Sequence, residues 1–289
     1  MTNGRPGGRW RGGQETVSAD VGTNEAERRR WNDEYWVSIW PRHEQLTGAV
    51  TELLLEHLHL IAGERVLDVG SGGGITSLAA ARLVGTTGSV VGADISVLLV
   101  DQAVRRANEQ GFANVRFLVA DAQHATIAGA PFDAATSQFG VMFFDEPTSA
   151  FANIHALTAP DGRLVFACWQ PADRNPWYIG HAIGPFLKRP SPPKPGKSPT
   201  GPFSLGDADH TSAVLAAAEW SAVERTAYEL TVTVEQEAIV DDAQPAFLGV
   251  ADDQMDRARI AVDNHLAGLR RDDGLYDAPL AFQIFTATR

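Results

Sequence analysis

The sequence predicts an α/β fold, a parallel sheet with helices covering both faces, and three observations carry that expectation. Between residues 65 and 169, short apolar runs of strand length alternate with longer runs whose apolar residues recur at helical spacing. The first apolar run, "RVLDVG", leads straight into a glycine-rich turn and then into the helix-type run "ITSLAAARLV". Acidic residues stand at the ends of three successive strand-type runs: Asp68, Asp94 and Asp121. Strands buried on both faces need near-continuous apolar character, and "SVVGADIS", "VRFLVADAQ" and "GRLVFACW" have it.

Taken in order, residues 1–24 are rich in Gly, Arg and polar residues without hydrophobic period and are expected to form a flexible tail. Residues 25–62 are expected to be a helical arm or lid. Trp31, Tyr35, Trp36 and Trp40 precede Pro41, and Leu46, Val50, Leu53, Leu54 and Leu58 follow it at helical spacing. Two helices divided around Pro41 are expected, the second ended by Gly63. Residues 63–289 then form the main domain. After the turn come "SVVGADIS" as a strand, "VLLVDQAVRRANEQG" as an amphipathic helix closed by Gly111, "VRFLVADAQ" as a strand, and "FDAATSQFGVMFF" as a strand with its outlet. "PTSAFANIHALTA" reads as a helix and "GRLVFACW" as a fifth strand. Residues 170–206 break the rhythm as a proline-rich insertion too long for a plain connector. A helix, a strand ("SAVERTAYELTVTV"), a helical region and a last strand ("LAFQIFTATR") complete the chain, with no internal repeat.

Composition narrows the function. A formal charge of −12 argues against a protein whose main work is gripping phosphate backbones, because that affinity rests on Lys and Arg. The Arg28, Arg29, Arg30 run is the compact basic cluster and reads as a solvated helix start. The single cysteine, Cys168, excludes an internal disulfide and sits in an apolar run, as a buried structural thiol would. No run approaches the ~18 consecutive apolar residues of a membrane span, and the N-terminus lacks the apolar core of a signal peptide. A cytoplasmic protein acting on a small molecule, with neither nucleic acid nor membrane as partner, is the expectation; the oligomeric state is left open.

The glycines of "VLDVGSGGG" fall at Gly70, Gly72 and Gly74, and Ile75 stands where a dinucleotide fingerprint begun at Gly70 would need its third glycine. A turn of small residues lets backbone N–H groups approach a ligand. Asp68 would repel a pyrophosphate but suits an ammonium group. Asp94 lies where an acid can take both ribose hydroxyls, and Asp121 where it can receive the amine of adenine. Together they describe an adenosine with a zwitterionic tail. Capping of a helix by Asp94 and of a turn by Asp121 is the plainer alternative for each.

On these residues the chain resembles the class I S-adenosylmethionine-dependent methyltransferases, in their small-molecule, UbiE-like subgroup. "VLDVGSGGG" is similar to the family's first motif, "GADIS" to the second, "VADAQ" to the third and "FDAATSQFGVMFF" to the segment bordering cofactor and substrate; the likeness spans about Arg65 to Trp169. The resemblance implies a Rossmann-like, doubly wound, seven-stranded sheet with the last strand antiparallel. It implies S-adenosylmethionine as cofactor and S-adenosylhomocysteine as product. Asp68, Gly70, Ser71, Gly72 and Gly74 would border the methionine part, Asp94 the ribose, Ile95 the adenine face, Asp121 and Ala122 the adenine amine, and Gln138 the sulfonium. The expected activity is methyl transfer to O, N or C of a small hydrophobic or aromatic metabolite, of the kind found in secondary metabolism. The rivals are a catalytically silent cofactor-binding partner or sensor and an NAD-dependent oxidoreductase.

Methyl transfer is an in-line displacement, so the enzyme must mainly align the nucleophile and exclude water, with a base needed only for a protonated nucleophile. His181 in the insertion and His43 at the entrance to the second helix are the candidate bases; His155 reads as an ordinary helix histidine. Tyr35, Trp36, Trp40, Phe139, Met142, Trp169 and Trp177 are expected to line an aromatic substrate pocket. "NPWY" at 175–178 follows the fifth strand and lacks the second proline of the N-P-P-Y signature of amino-methylating nucleic-acid enzymes. No metal site is expected, since His57 and His59 point to different helix faces.

Overall fold

The computed structural model describes residues 24–188 and 200–289. The expected tail therefore lies outside the described residues except for Asn24, and so do residues 189–199 of the proline-rich insertion.

The chain opens with helices α1 (Glu25–Trp31) and α2 (Glu34–Leu58). The alternating part follows: β1 (Arg65–Val69), α3 (Ile75–Val84), β2 (Ser89–Asp94), α4 (Val97–Glu109), β3 (Val115–Val119), β4 (Phe132–Gln138), α5 (Pro147–Leu157) and β5 (Thr158–Trp169). Beyond the short helix α6 (Gly180–Ile183) come α7 (Ala208–Ala217), β6 (Ser221–Val234), α8 (Gln236–Ile239), α9 (Gln244–Phe247), α10 (Met255–Leu266) and β7 (Tyr276–Thr288). The seven strands form one sheet in the order β3-β2-β1-β4-β5-β7-β6. β1 through β5 pair in parallel, and β7 runs antiparallel to both β5 and β6. This is the Rossmann-like, doubly wound arrangement with an antiparallel last strand.

Local chemistry sets the boundaries. Gly74 and Gly85, with φ of 87° and 65°, bracket α3. The Ser96 side chain accepts from Leu99 N–H at 3.2 Å to start α4, and the Asp207 carboxylate does the same for His210 N–H at 2.9 Å in α7. Val66, Leu67 and Val69 of β1 are buried, as a strand covered on both faces requires. Phe132, Phe151, Phe166, Phe282 and Phe285 are the largest fully buried side chains, and Phe166 stacks on Phe285 across the β5–β7 pair with centroids 5.3 Å apart.

Two expectations at the N-terminal end are corrected. The first two helices divide at Asn32–Asp33, not at Pro41: Asp33 caps α2 by accepting from Tyr35 N–H at 2.9 Å, and Pro41 sits inside α2. An interior proline removes one helix hydrogen bond, and Trp36 and Trp40, both just N-terminal to it, pack against Trp31. The second helix ends at His59, in the left-handed region with φ 48°, four residues before Gly63. Leu46, Val50, Leu54 and Leu58 are at most 1% exposed, so the C-terminal half of α2 belongs to the main core.

"NPWY" has a structural role. Asn175 is fully buried; its Nδ2 donates to the carbonyls of Gln170 and Ala281, and its Oδ1 accepts from Ala281 N–H and Trp177 Nε1. The asparagine fastens the start of the insertion to β7.

The strand order reverses at β1: β2 and β3 lie to one side, β4 and β5 to the other. In a doubly wound sheet the crevice at such a reversal, at the carboxyl ends of the strands, is where ligands bind. Here the two loops at the reversal touch, since a Cβ on Gly70 would lie 2.8 Å from Gly140 Cα.

Candidate functional site

The glycine turn is made for close internal packing. A Cβ on Gly72 would lie 2.3 Å from the Trp40 ring, one on Gly73 2.6 Å from Trp40 Nε1, and one on Gly74 2.9 Å from Phe117. Gly72 also has φ of 50°. Four N–H groups of the turn are committed as well. Gly70 and Ser71 donate to Ala93 carbonyl at 2.8 and 3.2 Å, Gly72 to Asp94 Oδ2 at 2.8 Å, and Gly74 to Ser71 carbonyl at 2.9 Å. Gly70, Ser71, Gly72 and Gly74 thus keep their N–H groups bonded within the fold. Gly72, Gly73 and Gly74 make room for Trp40 and Phe117, and Gly70 and Ser71 are the members of the motif that reach the cavity wall.

What the strand ends present instead is hydrogen-bond acceptors. Asp94 is buried; its Oδ1 accepts from Ser96 N–H and its Oδ2 from Gly72 N–H, both at 2.8 Å. The capping alternative is therefore real for Asp94, yet each oxygen keeps a further lone pair. Burial raises its pKa against the lowering effect of those bonds. Asp121 accepts from Gln123 N–H at 3.0 Å through Oδ1, while Oδ2 is buried without a partner; burial raises this carboxyl too. Asp68 sits behind the cavity wall at 1% exposure, its Oδ2 bonded to Ser77 Oγ at 2.5 Å and its Oδ1 without a partner. Burial pushes its pKa up to about 7. Ser71 Oγ and Asn24 Oδ1 are likewise buried and unpartnered. Each such group shielded from water costs about 1–3 kcal/mol until a donor reaches it.

A cavity of about 260 Å³ joins these strand ends to an aromatic chamber. Gly70, Ser71, Asp94, Ile95, Asp121, Ala122 and Gln138 line one side. All seven residues expected from sequence to line the other side do so: Tyr35, Trp36, Trp40, Phe139, Met142, Trp169 and Trp177. Phe139 stacks on Trp169 with centroids 3.9 Å apart, and Trp177 lies 4.9 Å from Trp169. Gln138 ties the halves together: Oε1 accepts from Thr51 and Thr76 hydroxyls, and Nε2 donates to Thr47 carbonyl at 3.0 Å. The arm is anchored at the same edge. Asn32 donates to Ile95 carbonyl and accepts from Val97 N–H, Ser96 Oγ donates to Trp31 carbonyl, and Asn24 N–H reaches Asp145. Asn24 thus belongs to the ordered wall, not to a tail.

The histidines separate. His43 lines the cavity beside Trp40, and burial pushes its pKa down to about 4, so its ring is uncharged at neutral pH. His181 is exposed on α6, because Ile179 and Ile183 take the buried side of that segment; it is withdrawn as a candidate base. His155 packs edge-on against Trp220, away from the cavity.

Several wall residues had no periodic signal in the sequence. Ile239, Asp241 and Leu248 come from the region around α8 and α9, and Tyr178 and Pro202 from the insertion. Tyr35 Oη donates to Asp241 at 3.1 Å and its ring stacks on Phe247, which closes this segment over α2. Among the described residues there is no group of three or more His, Cys, Asp or Glu suited to a metal ion, and no helix is long and apolar enough to cross a membrane.

Comparison with known proteins follows the same line. A methyltransferase-domain family matches residues 66–162. Aklanonic acid methyltransferase DauC of Streptomyces sp. (strain C5) is 33% identical over 106 residues, 37% of this chain and 48% of that protein. The ubiquinone/menaquinone biosynthesis C-methyltransferase UbiE of Teredinibacter turnerae is 36% identical over 104 residues, 36% of this chain and 42% of that one. The chain thus spans under half the length of the curated relatives it matches. Among solved structures, the YcgJ protein of Bacillus subtilis aligns with a TM-score of 0.59 at 18% identity, over 84% of this chain and 98% of that one, a likeness of fold.

Two outcomes are expected. Gly72→Ala destabilises the chain by about 2–4 kcal/mol in urea unfolding, from strain and overpacking, and costs less in a Trp40→Ala background because the clash is gone; equal costs in both backgrounds would contradict the packing account. His43 is neutral in the fold with a pKa below its unfolded value, so its contribution is present above about pH 6.5 and lost as pH falls through about 4. The wild type therefore loses up to about 3 kcal/mol relative to His43→Asn between pH 7 and pH 4, and a pH-independent difference would place His43 in a solvated setting.

Proposed function

We propose that the chain, whose residues 66–162 match a methyltransferase-domain family, transfers a methyl group from S-adenosylmethionine to a small, hydrophobic or aromatic acceptor. One observation supports the reading above the others: a single cavity has unpartnered buried acceptors on one side and aromatic rings on the other. Asp121 Oδ2, Ser71 Oγ and Asn24 Oδ1 call for a ligand rich in donors, such as an adenine amine, ribose hydroxyls and an ammonium group. A pyrophosphate, which carries only acceptors and negative charge, would need the N–H groups of the glycine turn, and those of Gly70, Ser71, Gly72 and Gly74 are already bonded within the fold. The residues present therefore fit an adenosine with an amino-acid tail and oppose a dinucleotide.

In this reading Asp94 holds the ribose through its remaining lone pairs, Asp121 with Ala122 holds the adenine edge, and Ile95 covers the ring. When bound, S-adenosylmethionine supplies an electrophilic methyl carbon and leaves as S-adenosylhomocysteine. The protein's work is alignment and the exclusion of water. Phe139, Trp169 and Trp177 offer flat apolar faces to the acceptor. Gln138, tied by three hydrogen bonds to α2 and α3, fixes the floor between the two ligands. His43, uncharged at neutral pH, accepts a hydrogen bond from an acceptor hydroxyl or amine and takes its proton when the nucleophile arrives protonated; its low pKa makes it a weak base. Carbon, oxygen and nitrogen acceptors are all compatible with this wall.

Calorimetric titration of the whole chain with S-adenosylmethionine and, separately, NADH tests the cofactor, followed by transfer of labelled methyl to a panel of phenols, aryl amines and activated aromatic carbons. Binding of the sulfonium ligand alone is expected. Asp94→Ala weakens it by about 1–3 kcal/mol, the range for hydrogen bonds to a charged group. Unchanged affinity would remove Asp94 from the ribose, and NADH binding alone would overturn the reading.

A further inference from the structure

Arg106 of α4 reaches over the glycine turn to α2. Its Nη1 and Nη2 donate to Glu44 Oε1 and Oε2 at 2.7 and 2.8 Å, a two-pronged pairing, and Nη1 also donates to the Gly73 carbonyl at 2.9 Å. Glu44 Oε1 accepts in addition from Trp40 Nε1 at 2.9 Å. Arg106 and Glu44 are 23% and 13% exposed, so their attraction is less screened by solvent than that of a surface pair. The chain of contacts runs from α4 through Glu44 to the indole that covers Gly72 and Gly73.

We propose that Arg106, Glu44 and Trp40 form a positioning network that builds the wall of the cavity against which the amino-acid half of the cofactor lies; this rests on the cofactor reading above. Gly72 and Gly73 present no side chain, so beyond Gly70 and Ser71 the turn adds nothing to that wall. Trp40 and Glu44 supply it from the arm: both line the cavity and both pack on the turn at Gly72 and Gly73. Asp94 and Asp121, the proposed adenosine partners, stand at the ends of β2 and β3 and receive no bond from the network. The indole is oriented by Glu44, Glu44 is held by Arg106, and Arg106 registers both against the Gly73 peptide. The network therefore acts on one half of the ligand, whereas a purely structural role would weaken the whole ligand.

That difference is measurable. S-adenosylmethionine and 5′-methylthioadenosine share the adenosine and the sulfur, and the second lacks the amino-acid part. Arg106→Met is expected to weaken S-adenosylmethionine about tenfold or more, while methylthioadenosine affinity stays within about twofold of the wild type. Glu44→Gln keeps an oxygen for Trp40 but gives up the charged fork, and should shift S-adenosylmethionine in the same direction by less. Retained methylthioadenosine binding reports that a variant is folded, and Glu44→Gln carries the comparison should Arg106→Met fail to fold. Equal weakening of both ligands, or unchanged S-adenosylmethionine affinity, overturns the network. A wild-type chain that binds neither ligand overturns the cofactor reading itself.

Discussion

The contact between the indole of Trp40 and the backbone of Gly72 and Gly73 is the constraint on which the cavity depends, because it joins the arm, the glycine turn and α4 into one body. No side chain fits at Gly72 or Gly73 while Trp40 is there, and Trp40 stays there because Glu44 and Arg106 hold it. The turn's N–H groups are spent on Ala93, Asp94 and Ser71, which fixes the ends of β1 and β2 against each other. From that fixed edge the cavity extends under α2, whose far half is sealed into the main core by Leu46, Val50, Leu54 and Leu58. The arm is thus part of the domain at one end and part of the cavity wall at the other.

The polarity of the site follows from the same packing. With four of the turn's donors already used, the unpartnered groups left at the arm's seam are oxygens of Asp121, Ser71 and Asn24 and the indole N–H of Trp36. Buried acceptors without donors are costly, and a ligand that brings donors recovers that cost on binding. The other half of the cavity makes no such demand. Its rings stack on one another, Phe139 on Trp169 and Trp31 on Trp36, and offer area and flatness. An aromatic chamber beside a polar slot suits a reaction in which two ligands must be aligned and water kept away.

The alternation from residue 65 to 169 was legible in the sequence because each strand and helix carries its own period and its own glycine or serine boundary. The three acids, Phe139 and Trp169 were legible because strand ends in such a sheet converge on one edge, and Tyr35, Trp36 and Trp40 because they cluster on one helical run. The break between α1 and α2 was misread at Pro41: proline is a strong local signal, but the cap formed by Asp33 and the packing around Trp36 and Trp40 override it. His181 was misjudged because a short helix exposes whichever side Ile179 and Ile183 do not bury, which sequence distance does not reveal. Arg106 and Asn32 went unnoticed for a related reason. Their partners, Glu44 and Ile95, are 62 and 63 residues away, and no local pattern records such pairings.

If the arm and the glycine turn are one body around a donor-rich ligand, binding must tighten both at once. Amide hydrogen exchange of the whole chain, with and without saturating S-adenosylmethionine, tests this most directly. Joint slowing of exchange across α1, the first half of α2 and the segment Asp94 to Val97 is the result this account predicts. Binding that protects the strand ends while the arm exchanges as before would contradict it.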